Sequence, residues 1–178
     1  MTNKLSHTLQ SMLRVNQAGE YGAIRIYQGQ MAVLGHKPKI KKTLQHMLDQ
    51  ETEHLAAFNH LMVEHAIPPT LFTPLWHIGG YMMGAASALL GEKAAYACTI
   101  AVEEVIEEHY QSQLDALNHS HELEAGKFKE LLQKCQAEEI EHKQISIDHG
   151  GHGAPFYPLL TRVIKGVSRL AITLSKKW

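Results

Sequence analysis

Cysteine is scarce in this sequence. Cys98 and Cys135 are the only two in 178 residues, and they form no CxxC pair. A zinc ribbon, a rubredoxin-type iron site and a thioredoxin-like motif are thereby excluded. Both fall inside helical patterns, where a buried free thiol is the usual state, and a reducing compartment fits them. An excess of one charge is also missing. The formal net charge is −1 and the pI about 6.9, with no basic block interleaved with aromatics, so nucleic acid is not an expected partner. The N-terminal MTNKLSHTLQSML has neither a signal-peptide apolar core nor an arginine-rich transit character. A cytoplasmic, bacterial protein is the expectation. No alternating strand pattern and no dinucleotide fingerprint occur. From Ala66 to Gly91 there is no Asp, Glu, Lys or Arg.

What the chain does have is helical periodicity and 13 histidines. Histidine is the commonest metal ligand, although His7, His36, His119 and His121 read as surface residues. Helices are expected over about Lys4–Leu34, Lys39–His65, Glu92–Asn118 and Glu122–Asp148. Turns are marked by Gly35 and Pro38, by Pro68-Pro69, and by the glycines at 150, 151 and 153 with Pro155 beyond. A last amphipathic, basic segment runs from about Pro158 to Lys176. Two short-loop pairs joined by one longer crossover make an all-α, ferritin-like four-helix bundle. The expectation is a single domain over 1–178, with an apolar crossover at 66–91 and an amphipathic basic helix within 156–178.

Two Glu-x-x-His motifs stand out, Glu51-Thr52-Glu53-His54 and Glu139-Ile140-Glu141-His142. Spacing i, i+3 puts Glu and His on one helix face, near enough to share a metal. One such motif arises easily by chance, whereas a di-iron bundle needs two, and one Glu from each of the other two helices. Residues equidistant from a hairpin turn lie at the same height. Glu20 and Glu51 are centred on position 35.5, at the Gly35 turn, and Glu103 and Glu139 on 121, at the Asn118–His121 turn. The two halves thus read as a distant repeat: lone Glu, turn, Glu-x-x-His. Oxygen-rich anionic ligands suit iron, and two imidazoles leave positions open for dioxygen. Manganese can occupy similar sites. Four carboxylates against two Fe(II) ions make a neutral centre; without metal they would repel and be costly to bury. Glu53, Glu104, Glu108, Glu138 and Glu141 read as surface charge. Glu107, one turn after Glu103, is a candidate to approach the centre.

At these residues the sequence resembles the demethoxyubiquinone hydroxylase family. The stretches are LRVNQAGEYGAIRIYQG from Leu13, DQETEHLAAFNHLM from Asp49, LGEKAAYACTIAVEEVIEEHYQSQ from Leu90 and EEIEHKQISIDHGGHGAPFY from Glu138. The resemblance implies two Fe ions per chain, held by Glu20, Glu51, His54, Glu103, Glu139 and His142, with Glu51 and Glu139 bridging. It implies that His109 and Tyr110 match a pair near the substrate pocket; ordinary helix packing is the other reading of either one. It also implies the reaction, an oxygen-dependent hydroxylation of 2-polyprenyl-3-methyl-6-methoxy-1,4-benzoquinol in ubiquinone biosynthesis. Electrons would come from the quinol itself, from loosely bound NADH or from a reductase partner.

A polyprenyl quinone resides in the bilayer, so its enzyme must reach the surface. The uncharged stretch is too short to span, which takes about twenty apolar residues. It suits either interfacial insertion or a buried core helix. In the last segment Leu159, Leu160, Val163, Ile164, Val167, Leu170 and Leu174 form one stripe. Arg162, Lys165, Arg169, Lys176 and Lys177 supply charge, and Trp178 suits a headgroup depth. Such a helix can lie in an anionic surface or pack as a fifth helix on the bundle. The expected location is peripheral, on the cytoplasmic face of a bacterial inner membrane. Two other readings compete: a ferritin-like peroxidase or iron-handling protein, and a non-catalytic helical protein that binds quinone through Met82, Met83 and their neighbours.

Overall fold

The computed structural model describes residues 5–120 and 124–176. Lys4, His121, Glu122, Lys177 and Trp178, on which parts of the expectations above fall, lie outside them. Among the described residues there is no strand. The order is α1 His7–Leu34, α2 Pro38–Glu64, α3 Thr73–Leu89, α4 Glu92–Leu117, α5 Ala125–Asp148, a 3-10 turn at Gly151–Gly153 and α6 Tyr157–Ser175.

The helix ends follow local chemistry. Ser6 caps α1 by accepting from Leu9 N–H at 3.2 Å. Proline sits in the first turn of α2, α3 and α6, where a missing N–H costs nothing. Gly91, with φ of 109°, lets the chain turn directly from α3 into α4.

α1 and α2 form one hairpin, α4 and α5 the other. Buried hydrogen bonds join α1 to α4: Asn16 and Gln113 pair reciprocally at 2.8 and 2.9 Å, and Gln30 donates to Ala95 O at 3.1 Å. α2 faces α5 through side-chain bonds described below. Two apolar clusters fill the bundle. One holds Leu13, Phe58, Tyr110, Leu132 and Cys135, the other Tyr27, Leu44, Met47 and Ala95. Each large side chain buried there contributes about 1.5–3 kcal/mol. The band between the two clusters holds Glu20, Glu51, Glu103 and Glu139. Both cysteines are buried and free.

Of the two forms expected of the crossover, the buried core helix is not what the structure shows. The crossover contains a 17-residue helix, α3, laid along α1. Small residues allow the close approach: a Cβ on Gly84 would stand 2.0 Å from Ile26 O, and one on Gly29 2.2 Å from Tyr81 O. The other face is open, with Leu75, Ile78, Met82 and Leu89 all exposed. α3 is therefore not a buried core helix.

α6 packs on α4 and also keeps one side open. Its seven-residue stripe splits: Ile164 is buried, Leu160 and Leu174 are half-buried, and Leu159, Val163, Val167 and Leu170 are exposed. Met83 of α3 and Leu160 of α6 join one cluster with Ile26 of α1 and Cys98 and Val102 of α4. Both helices thus cover the α1–α4 side. Trp76 Nε1 donates to Ser175 Oγ at 3.0 Å, tying them together. Two of the basic residues that supply the charge of α6, Lys165 and Arg169, pair with Glu104 and Glu108 of α4. Among the described residues no helix is long and apolar enough to cross a membrane.

Candidate metal centre

All six residues singled out by spacing converge in the core. Glu20, Glu51, His54, Glu103, Glu139 and His142 are each at most 3% exposed. They form two overlapping groups, Glu20–Glu51–His54–Glu139 and Glu51–Glu103–Glu139–His142. Within each group, one ligand-type atom per residue lies within 4.8 Å of all the others. Glu51 and Glu139 belong to both groups. Each presents one oxygen to each imidazole. Glu51 Oε2 is 3.9 Å from His54 Nδ1, and its Oε1 is 3.4 Å from His142 Nδ1. Glu139 Oε1 is 3.3 Å from His54 Nδ1, and its Oε2 is 3.2 Å from His142 Nδ1. Glu20 Oε2 is 3.4 Å from His54 Nδ1.

The donor set fits metal ions. Both oxygens of Glu51 and the Nδ1 of His54 are buried without a hydrogen-bond partner. Buried polar atoms are normally satisfied, so orphans gathered within these two groups mark places for cations. Electrostatics agree. Burial, then the charges of Glu139 and Glu20, holds the Glu51 carboxyl well above its ordinary range. Burial, then Glu139, does the same to Glu103. Glu139 goes the other way. Burial would raise it, but the imidazoles of His142 and His54 beside it outweigh that and bring it to about 2. Burial would lower His54, but Cys135, Glu139 and Glu20 lift it well above the imidazole range. A ring protonated at that point stands where a metal ion's charge would.

Two tyrosines hold the outer carboxylates. Tyr27 donates to Glu103 Oε1 at 3.0 Å, and Tyr110 donates to Glu20 Oε1. Sequence reasoning missed Tyr27, although it lies two turns after Glu20 on the same face. It also missed Gln50, whose Oε1 is 2.9 Å from His142 Nε2. Glu138 requires a correction. It does not simply carry surface charge; its Oε2 is 2.5 Å from His54 Nε2. Glu139 and Glu138 are neighbours on α5, but His54 enters from α2 between them, so one faces each nitrogen. Glu53, Glu108 and Glu141 are exposed as expected. Glu107 does not turn to the centre; it pairs with Lys143.

His109 and Tyr110 part company. Tyr110 is buried against Glu20. His109 is half-buried on a groove of about 410 Å³, lined also by His7, Met12, Gln113 and Lys176. Gln113 Nε2 donates to its Nε2 at 2.7 Å. Burial, then Lys176, brings the His109 pKa down to about 4, so the ring is neutral. His7, His36 and His119 are exposed.

A helical bundle of the ferritin-like class, with two fused carboxylate–imidazole clusters at its centre, is thus the class that fold and site define. The chain belongs to the family described as ubiquinone biosynthesis protein COQ7, whose model matches residues 7–175. It is 48% identical over 165 residues to the 3-demethoxyubiquinol 3-hydroxylase of Rhodospirillum rubrum, covering 93% of this chain and 76% of that protein. It is 47% identical over 169 residues to the human NADPH-dependent 3-demethoxyubiquinone 3-hydroxylase, mitochondrial, at the same coverage. The 5-demethoxyubiquinone hydroxylase of Saccharomyces cerevisiae is 41% identical over 176 residues, covering 92% and 76%.

Proposed function

We propose that this chain is a di-iron monooxygenase that hydroxylates demethoxyubiquinol at a membrane surface. The observation that carries the proposal is the pair of buried clusters sharing Glu51 and Glu139, in a chain whose curated relatives are named as hydroxylases of this substrate. Glu20 and His54 would hold one iron, Glu103 and His142 the other, and Glu51 and Glu139 would bridge them. Bound iron supplies the electrons and Lewis acidity that dioxygen needs to place one oxygen on the ring and release the other as water.

The chain's own residues do the rest. Tyr27 and Tyr110 hold the carboxylates of Glu103 and Glu20 in place beside the centre. The two apolar clusters above and below keep water from the centre. Two electrons must enter per turnover. The human relative's name specifies NADPH, which supports a nicotinamide donor here, bound loosely or through a reductase, because no dinucleotide fingerprint is present. The open faces of α3 and α6 support a peripheral seat on the cytoplasmic face of a bacterial inner membrane. There a polyprenyl tail can stay in the bilayer while its ring enters the bundle.

The test is to purify the protein in detergent, count iron, and supply demethoxyubiquinol and reductant under air. The expected result is about two irons per chain and a product one oxygen heavier by mass spectrometry, lost in Glu51→Ala and Glu139→Ala. Two irons with peroxide consumption and no product would favour a peroxidase instead.

A further inference from the structure

The two clusters are nearly copies of one another. Each outer carboxylate takes a tyrosine hydroxyl, Tyr110 on Glu20 and Tyr27 on Glu103. Each imidazole turns Nδ1 inward and Nε2 outward. The symmetry breaks at the outward nitrogen. His54 Nε2 meets a carboxylate, Glu138 Oε2, at 2.5 Å, whereas His142 Nε2 meets an amide oxygen, Gln50 Oε1, at 2.9 Å. Cys135 also lies beside His54.

With Nδ1 reserved for a metal, the Nε2 of each ring carries the proton and donates it outward. A carboxylate acceptor draws that proton toward itself and makes the ring more electron-rich, so Nδ1 becomes a stronger metal donor. An amide acceptor orients the ring without that effect. Glu138 is 22% exposed and 3.7 Å from Lys134, itself near Glu53 at 3.9 Å, so its charge is balanced at the surface and the core gains none.

We infer that Glu138 and Gln50 are positioning residues that make the two metal positions unequal. The position built on Glu20 and His54 binds first and more tightly; the one built on Glu103 and His142 binds second. The inference rests on the di-metal reading above and adds an order of loading to it.

The experiment is titration of the metal-free full chain with Co(II), followed by calorimetry and by the visible ligand-field spectrum. Wild type is expected to take two Co(II) in two resolved steps. Glu138→Gln keeps an oxygen acceptor and removes only the charge, so the tight step should weaken by about 10–100-fold while the second stays put. Gln50→Glu should tighten the second step and leave the first. Circular dichroism verifies that both variants are folded. Identical steps in wild type, an unchanged Glu138→Gln isotherm, or equal weakening of both steps would each overturn the inference while leaving the di-metal reading intact. Fewer than two Co(II) in wild type would overturn both.

Discussion

The phenol of Tyr27 donates to Glu103 Oε1 at 3.0 Å and stands edge-on to His142, with ring centroids 6.1 Å apart and planes 83° from parallel. One side chain of α1 thus braces a carboxylate of α4 and an imidazole of α5. Tyr27→Phe keeps the ring and its packing but strips Glu103 of a donor in a fully buried place. An unsatisfied buried acceptor costs about 1–3 kcal/mol. Urea unfolding of metal-free protein should show a loss in that range, with an unchanged slope. An unchanged midpoint would mean Glu103 does not depend on the phenol.

Glu51 is costly to bury without metal. It is fully buried, neither oxygen has a hydrogen-bond partner, and Glu139 and Glu20 repel its charge. Glu51→Gln removes, at nearly constant volume, the cost of neutralising that carboxyl on folding. We expect the metal-free variant to melt higher than metal-free wild type, by about 1–2 kcal/mol at neutral pH. With Fe(II) or Co(II) present the order should reverse, since wild type gains binding energy that the variant has lost. Scanning calorimetry with and without chelator measures both. A variant less stable than wild type under both conditions would refute the idea that burying Glu51 without metal is costly.

The parts of this molecule that sequence could reveal were those with a period or a spacing. The four long helices, the six clustered residues and the hairpin heights follow from i, i+3 motifs and from distances to Gly35 and position 121. The outward partners did not, because Gln50 and Glu138 gain meaning only when α2 and α5 come together. Glu138 looks like any solvated helix charge in one dimension, and its contact with His54 is 84 residues away in the chain. The crossover misled for a different reason. An uncharged run with glycines reads equally as core or as interface. α3 is half of each, because Gly80 and Gly84 press it onto α1 while Leu75, Ile78 and Met82 stay open.

His109 predicts a pH dependence. Its pKa is brought down to about 4 in the fold, while an unfolded histidine titrates near 6.5. The unfolded chain therefore binds more protons between these values. The stability His109 contributes is complete above pH 6.5 and is lost as pH falls toward 4. Wild type should lose about 1–2 kcal/mol more than His109→Gln between pH 7 and pH 5, by urea unfolding. Parallel curves would mean that the ring is protonated in the groove beside Lys176 and His7.

The open faces of α3 and α6 predict how the protein meets a bilayer. Met82 is 60% exposed and Val163 56%, and the α1–α4 seam that both helices cover joins them into one side. Each apolar side chain moved from water into the interface contributes about 25 cal/mol per Å². The charges of Lys165 and Arg169 are held by Glu104 and Glu108, which leaves Arg162 and Lys176 as the other basic residues among the described part of this segment. Binding should therefore be governed by apolar area more than by charge. In sedimentation with phosphatidylethanolamine–phosphatidylglycerol vesicles, Met82→Glu and Val163→Glu should each abolish pelleting without lowering Tm. Raising salt to 0.5 M should reduce wild-type pelleting only modestly, because screening acts on the charged part alone. Loss of pelleting in salt, with both Glu variants still bound, would place the contact on the basic residues and not on the apolar faces.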